Sequence, residues 1–343
     1  MKIKNIAIDS LSSGTIGEAF AKHELDIGVK RLRGFGLNVT FMPHALKGIE
    51  YVKNHPAERA TDLLQALRDP DIDMILCAIG GDDTYRLLPY LFGHKELLEA
   101  VSDKVFLGFS DTTINHFMLH NVGMKTFYGQ SFLADICELD ENMLPYTEDY
   151  FRELISTGTI REIRPSDIWY EGRTQYGVDQ IGTPLMSHPD HGFELLQGNP
   201  VFSGPILGGC LDSIYDIFHG DRYADMPQLC GKYALFPKTE DWSGRILLLE
   251  TSEEKMSPQK FRKALLTLKA TGVFDVISGI LVGKPMDETY ATEYKRILTE
   301  TIDQPDLPVV CNLNIGHALP RCIIPFGDQA TVDAVNQVIR FEN

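Results

Sequence analysis

The first group in this sequence that could do covalent chemistry is a serine placed where an apolar strand gives way to a helix. In VFLGFSDTTINHFML, the run Val105–Phe109 ends at Ser110, and Ile114, Phe117 and Met118 give the following helix a buried face. Such a junction turns the hydroxyl out at the carboxyl end of a sheet. It also sets the backbone amide of Asp111 at the positive end of the helix. An acyl-transfer nucleophile needs this exposure and donors aimed at a developing oxyanion. Thr112 stands in place of the second glycine of GxSxG, so the usual hydrolase elbow is absent, and on local sequence alone Ser110 or Asp111 could equally cap the helix.

The second candidate is CAIGGDDTYRLLPYL, where a buried strand ends in Gly80-Gly81 and Asp82-Asp83 open a helix. Paired glycines let backbone approach a ligand and aim amides at an anion. The pattern approaches the GGDGT phosphate loop of sugar, lipid and NAD kinases. Asp83 replaces a glycine of that loop, and its carboxylate would repel phosphate. A nucleotide-binding, kinase-like protein is therefore the competing reading from another class.

A serine nucleophile requires a base, and the base an orienting acid. His317 closes the strand-like run VVCNLNIGH, which also places it at a strand end. In GRILLLETSEE, Ile246–Leu249 form a buried strand and Glu250 is the first charged group beyond it. A partly hydrated carboxylate there suits holding an imidazole in one tautomer. Glu253 and Glu254 read as helix-start or surface acids. His116 and His120 stand four apart but lack the glutamate of HExxH, which argues against a metal site. His188 and His191 read as solvated.

Positioning these groups falls to alternating strands and helices. Short β-rich runs at Asn5–Ile8, Leu37–Met42, Met74–Ile79, Lys104–Phe109 and Lys125–Tyr128 flank helical patterns at Glu18–Leu32 and Ala60–Arg68. That alternation predicts βαβ units and a parallel sheet with both faces covered, whose ligand loops lie at the carboxyl ends. A helix is expected over Tyr146–Ser156. Residues 157–198, rich in Gly, Pro, Asp and His, then break the pattern. Order resumes with a strand and helix over Pro205–Gly220, a strand at Arg245–Leu249, and a helix with Ser257 as N-cap, Pro258 in its first turn and Gly272 beyond its end. A strand at Gly279–Val282, a helix near Thr292–Ile302 and a strand at Pro308–Cys311 follow. The division expected is 1–156 for an amino-terminal α/β domain with the nucleophile, 157–198 for a linker or substrate loop, and 199–343 for a carboxy-terminal domain with the acid and the base.

Composition narrows the function classes. The 343 residues carry 32 Lys and Arg against 48 Asp and Glu, a formal charge of -16, which disfavours nucleic acid and anionic membrane as partners. Neither a signal peptide nor a membrane-spanning run is evident. Six scattered cysteines without a CxxC pair read as reduced, buried thiols, and the cytoplasm is the default compartment.

The blocks IGGDDTYRLLPYL, LGFSDTTINHFML, GPILGGCLDSI, GRILLLETSEE and NIGHALP, in this order and spacing, resemble the LD-carboxypeptidase family of serine peptidases over nearly the whole chain. The length, the GGDDTYRLLPYL form and the aromatic segment are most similar to its microcin C immunity peptidase branch. The resemblance implies a Rossmann- or flavodoxin-like amino-terminal domain and a carboxy-terminal α/β domain with a partly barrel-like sheet. It also implies a cytoplasmic homodimer and a Ser-Glu-His triad that uses no metal or organic cofactor. Carried over by residue, Ser110 is the nucleophile, Glu250 the orienting acid and His317 the general base. The amides of Gly81 and Asp111 form the oxyanion hole, which reassigns the glycine pair from phosphate cradle to oxyanion donor. In that branch, aromatics before the second domain stack on the adenine of an aminoacyl or peptidyl nucleotide. Trp169 and Tyr176 fall in that region and, with Asp82, are the substrate-binding candidates. Tyrosine stands where the branch carries its later tryptophan, and Cys210 departs from the GGNL form. The substrate implied is a microcin-type aminoacyl or peptidyl nucleotide, with removal of terminal D-alanine from a muropeptide tetrapeptide as the alternative.

Overall fold

The computed structural model describes residues 2–342. Five short strands lead the chain: β1 (Asn5–Asp9), β2 (Asn38–Phe41), β3 (Met74–Cys77), β4 (Val105–Gly108) and β5 (Thr126–Tyr128). They pair in parallel in the order β2-β1-β3-β4-β5, the flavodoxin-like winding. Helices cover the sheet, among them Lys22–Gly34, Pro56–Arg68 and Thr113–Asn121. Wholly apolar strands such as MILC and VFLG are what a sheet buried on both faces requires. The strand order brings the carboxyl ends of β1, β3 and β4 side by side, so the loops after them share one edge.

The second part of the chain contributes β6 (Glu162–Ile163), β7 (Ile168–Tyr170), β8 (Ser187–Pro189), β9 (Glu194–Gln197), β10 (Val201–Cys210), β11 (Ile246–Glu250), β12 (Gly279–Gly283) and β13 (Val309–Leu313). The tail adds β14 (Ile324–Phe326), β15 (Gln329–Asp333) and β16 (Val338–Phe341). Eight of these form one sheet in the order β6-β16-β15-β10-β11-β12-β13-β9, parallel from β10 to β13. Its end strands β6 and β9 do not pair, so the sheet stays open rather than closing into a barrel. β14 stands outside that sheet and pairs antiparallel with β5 at the edge of the first one, tying the two parts together.

Two differences from the sequence reading stand out. Residues 157–198 are not devoid of regular structure: β6 and β9 join the large sheet, and β7 and β8 make a separate antiparallel pair. Strands of two to four residues are too short to show a period of two. The expected helix from Glu18 instead begins at Lys22, after single turns at Thr15–Gly17 and Ala19–Ala21. The Ser257-capped helix is found as expected, with Ser257 Oγ accepting from the Lys260 amide. All six cysteines are buried and free. No helix among the described residues is long and apolar enough to cross a membrane.

Candidate active site

β4 ends at Gly108, and Ser110 takes φ +66°, the left-handed conformation, before a turn runs into the helix Thr113–Asn121. A serine held there is strained by about 1–3 kcal/mol, which the packed junction must sustain. The result is an elbow that presents Oγ at the shared sheet edge. Gly80 and Gly81 close on it from β3. A Cβ on Gly80 would collide with the Ser110 side chain, and one on Gly81 with Ser12. Only glycine fits so close an approach. Among the described residues, the amides of Gly81 and Asp111 take no protein partner. The Asp111 carboxylate is turned inward instead, accepting from Ser12 Oγ and from the Thr84 amide (3.0 Å). Burial pushes its pKa up to about 6. The side chain thus anchors the turn whose amide faces the serine.

Glu250 and His317 reach the same place from the large sheet. Glu250 ends β11 and is wholly buried, not partly hydrated as its position at a strand end suggested. It is enclosed because a Cβ on Gly283 would press on its own Cβ, while a Cβ on Gly316 would overlap its carboxylate. His317 lies four residues past the end of β13, in a loop rather than on the strand itself. Its Nδ1 is 2.7 Å from Glu250 Oε2, and its backbone amide donates to the same oxygen at 3.3 Å. Its Nε2 is 3.1 Å from Ser110 Oγ. Three groups far apart in sequence therefore form one connected chain.

Several contributors were not foreseen. The Tyr128 hydroxyl, at the end of β5, donates to Glu250 Oε1 (2.6 Å) and accepts from the Ser110 amide (3.2 Å). Arg321 is buried, donates to the carbonyls of Gly316 and His317, pairs with Asp135 at 2.7 Å and lies over the Phe109 ring. It therefore fixes the loop that carries the imidazole. Glu253, read from sequence as a surface acid, places Oε2 3.0 Å from His317 Nε2, on the side facing Ser110. Burial alone would disfavour the imidazolium, but Glu250, through its charge and its hydrogen bond, and then Glu253 outweigh it and raise His317 to about 10. The hydrogen bond to His317 pulls Glu253 below the ordinary carboxylate range.

The other candidates separate. Asp82 is on the rim of the cavity beside Ser110, accepting from Tyr223 Oη at 3.0 Å. Tyr176 lines a second cavity that includes His317, Glu138 and Arg173. Trp169 does not line it: the indole stacks on His188 across the β7–β8 pair, centroids 4.4 Å apart, with Lys284 Nζ over its face. Asp83, whose charge spoke against a phosphate loop, is buried and paired with Arg59 at 2.6 Å. His116 bonds Thr126 and the Gly108 carbonyl, and burial lowers it to about 4. Cys210, beside Glu250 in register, has its sulfur within 4.8 Å of ligand atoms of Glu250 and His317. Burial holds that thiol protonated, and the other two groups are engaged with each other.

Comparison with known proteins bears on this arrangement. The models of the LD-carboxypeptidase N-terminal and C-terminal domains match residues 6–129 and 203–332. A putative carboxypeptidase of Bacillus subtilis, YocD, is 26% identical over 93% of this chain and 90% of its own. The microcin C7 self-immunity protein MccF of Escherichia coli is 24% identical over 97% of this chain and 92% of its own. A solved MccF-like protein of Streptococcus pneumoniae, in complex with AMP, is 61% identical, covers 99% of both chains and superposes with a TM-score of 0.98. MccF solved with aspartyl sulfamoyl adenosine shares the fold at 22% identity, with a TM-score of 0.80 over 100% of this chain and 97% of that one.

Proposed function

Because this chain belongs to the LD-carboxypeptidase family of serine peptidases, we propose that it hydrolyses the amide-type bond of a small aminoacyl or peptidyl nucleotide of microcin type. The observation that carries the proposal is the continuous contact from Ser110 Oγ through His317 to Glu250. His317 Nε2 takes the Ser110 proton as Oγ attacks the carbonyl carbon. The amides of Gly81 and Asp111 receive the developing oxyanion, in a pocket where preorganised donors need no rearrangement. The imidazolium, held by Glu250, then protonates the leaving nitrogen. Water, deprotonated by the same imidazole, releases the acyl group. Every proton transfer uses a side chain of this protein.

The nucleotide part of the proposal is supported by the 61%-identical relative solved with AMP. Tyr176, which shares a cavity with His317, is the aromatic we assign to the nucleotide side, whereas Trp169 supports the loop from its place on His188. The divisions at 156/157 and 198/199, homodimeric assembly and a cytoplasmic site of action belong to the same proposal. Incubation with an aminoacyl sulfamoyl adenosine and, separately, with a muropeptide tetrapeptide tests it. Consumption of the first with release of the amino acid is expected. Release of D-alanine from the second alone would transfer the enzyme to cell-wall recycling.

The base must be neutral to act, so kcat/KM should rise with pH from neutrality into the alkaline range, following a His317 raised to about 10. Glu253→Gln removes one of the charges that raise it. Because the Glu253 side chain is largely exposed and its charge is screened, the rising limb should move to lower pH by up to about 1 unit, and activity at pH 7 should increase. A limb that stays in place or moves upward would show that Glu253 does not govern the imidazole.

A further inference from the structure

The cavity beside Ser110 Oγ has an unusual charge. Its lining includes the acidic residues Asp82, Asp212, Asp216, Glu253 and Glu254, besides Asp111 with its carboxylate turned inward, against one guanidinium, that of Arg222. Arg222 is already shared among Glu254 (2.7 Å), Asp216 (3.2 Å) and Asp82 (3.7 Å). Glu253 is on His317, and Asp111 is held by Ser12 and Thr84. Asp212 differs from all of these. It is only 4% exposed, its Oδ2 accepts from the Ser252 amide at 3.0 Å, and its Oδ1 has no hydrogen-bond partner. Burial raises its pKa, and Lys260 and His317 act on it only through space.

Buried carboxylate oxygens without a donor also occur at Asp9 and Asp83, but of the three residues only Asp212 lines the cavity beside Ser110, where a ligand could explain it. The surrounding potential selects a cationic donor over a neutral or acidic one. A bare metal ion is a poor fit, because metals need ligand atoms that converge. Among the described residues the only converging trio is Cys210, Glu250 and His317, which excludes Asp212 and Asp216. An ammonium carried on an acyl group needs no such convergence. With the carbonyl at Ser110, the substituents of the acyl carbon must lie in or beside this cavity.

Resting on the hydrolase reading above, we propose that the acyl side of the site takes an acyl group bearing an ammonium, with Asp212 as its receptor and Asp216 beside it, and that it discriminates against acidic acyl groups. An aspartyl or glutamyl side chain would bring a further carboxylate among those of Asp212, Asp216, Glu253 and Glu254. The relative solved with aspartyl sulfamoyl adenosine holds an acyl group of the kind this site would disfavour.

The test uses lysyl, leucyl, N-acetyl-leucyl and glutamyl sulfamoyl adenosine. Their binding to the Ser110→Ala protein is measured by calorimetry, and their hydrolysis by the intact enzyme is measured in parallel. Lysyl should bind at least about tenfold more tightly than glutamyl, and Asp212→Asn should remove most of that ratio. Asp216→Asn serves as a second variant if the first does not fold. A side-chain ammonium is identified by lysyl exceeding leucyl, and an α-ammonium by leucyl matching lysyl and exceeding its N-acetyl form. Glutamyl bound as tightly as lysyl, or a ratio unchanged in folded variants, overturns the proposal. Selective lysyl binding without hydrolysis in the intact enzyme would sink the hydrolase reading while leaving this one standing. Hydrolysis that favours glutamyl would do the reverse.

Discussion

Ser110→Ala should lower hydrolysis by on the order of 10⁴- to 10⁶-fold while leaving the thermal unfolding curve nearly unchanged. The large kinetic effect follows because, of the three serines that line the cavity, Ser110 is the one whose hydroxyl is hydrogen-bonded to His317. Burial pushes the nearby Cys210 thiol far above the thiol range, so it cannot act as a thiolate. The small structural effect follows from the few bonds Oγ makes. Among the described residues Oγ bonds His317 Nε2, and the backbone bond from the Ser110 amide to Tyr128 survives the substitution. Alanine at φ +66° is strained to about the same extent as serine. The oxyanion donors also remain, so the variant should still bind substrate. Hydrolysis within about tenfold of the parent, measured on a protein with a normal melt, would remove Ser110 from the chemistry and take the peptidase mechanism with it.

The elements that carry Ser110, the Gly80-Gly81 turn and Glu250 are readable because each of these groups comes at the end of an apolar run. MILC, VFLG and ILLL mark buried strands, and what comes just after a buried strand in a parallel sheet lies at its carboxyl edge. Ser110 and the Gly80-Gly81 turn were placed by that rule alone. The environment of the carboxylate was not legible. Glu250 reads as a partly hydrated strand-end acid, yet it is sealed by Gly283 and Gly316, contributed by other segments of the chain. Tyr128 meets Glu250 across 122 residues, and no local pattern announces such a pair. Its only signal was position, a tyrosine ending the strand KTFY at the same sheet edge as Ser110. Glu253 is exposed, as an acid just after a strand normally is, and its additional contact with the imidazole is what local sequence does not show. Its spacing of three from Glu250 was the available hint that it returns toward the imidazole. The partner of Trp169 is equally hidden in the sequence: an aromatic in an apparently irregular segment suggests a ligand, and only the structure shows that a three-residue strand pairs it with His188.

Glu250→Gln should cost about 10³- to 10⁴-fold in hydrolysis, far more than the change in charge alone would suggest. Tyr128 decides the outcome. Its hydroxyl donates to Oε1, so a glutamine at 250 keeps its carbonyl toward Tyr128 and turns its amide NH2 toward His317. Two donors, the NH2 and the His317 backbone amide, then face the position where one carboxylate oxygen accepted. To relieve that clash Nδ1 must become the acceptor, which moves the ring proton to Nε2, where it points at Ser110 instead of receiving its proton. Removing the buried anion also removes the principal influence that holds His317 above its ordinary pKa, so the small residual activity should titrate at lower pH than in the parent. Glu253→Gln shifts the same limb in the same direction but leaves the tautomer intact, and it should raise activity at neutral pH rather than abolish it. The pair of variants therefore separates charge from proton position. If Glu250→Gln retained activity comparable to Glu253→Gln at every pH, Glu250 would be a structural carboxylate and the orienting role would fail.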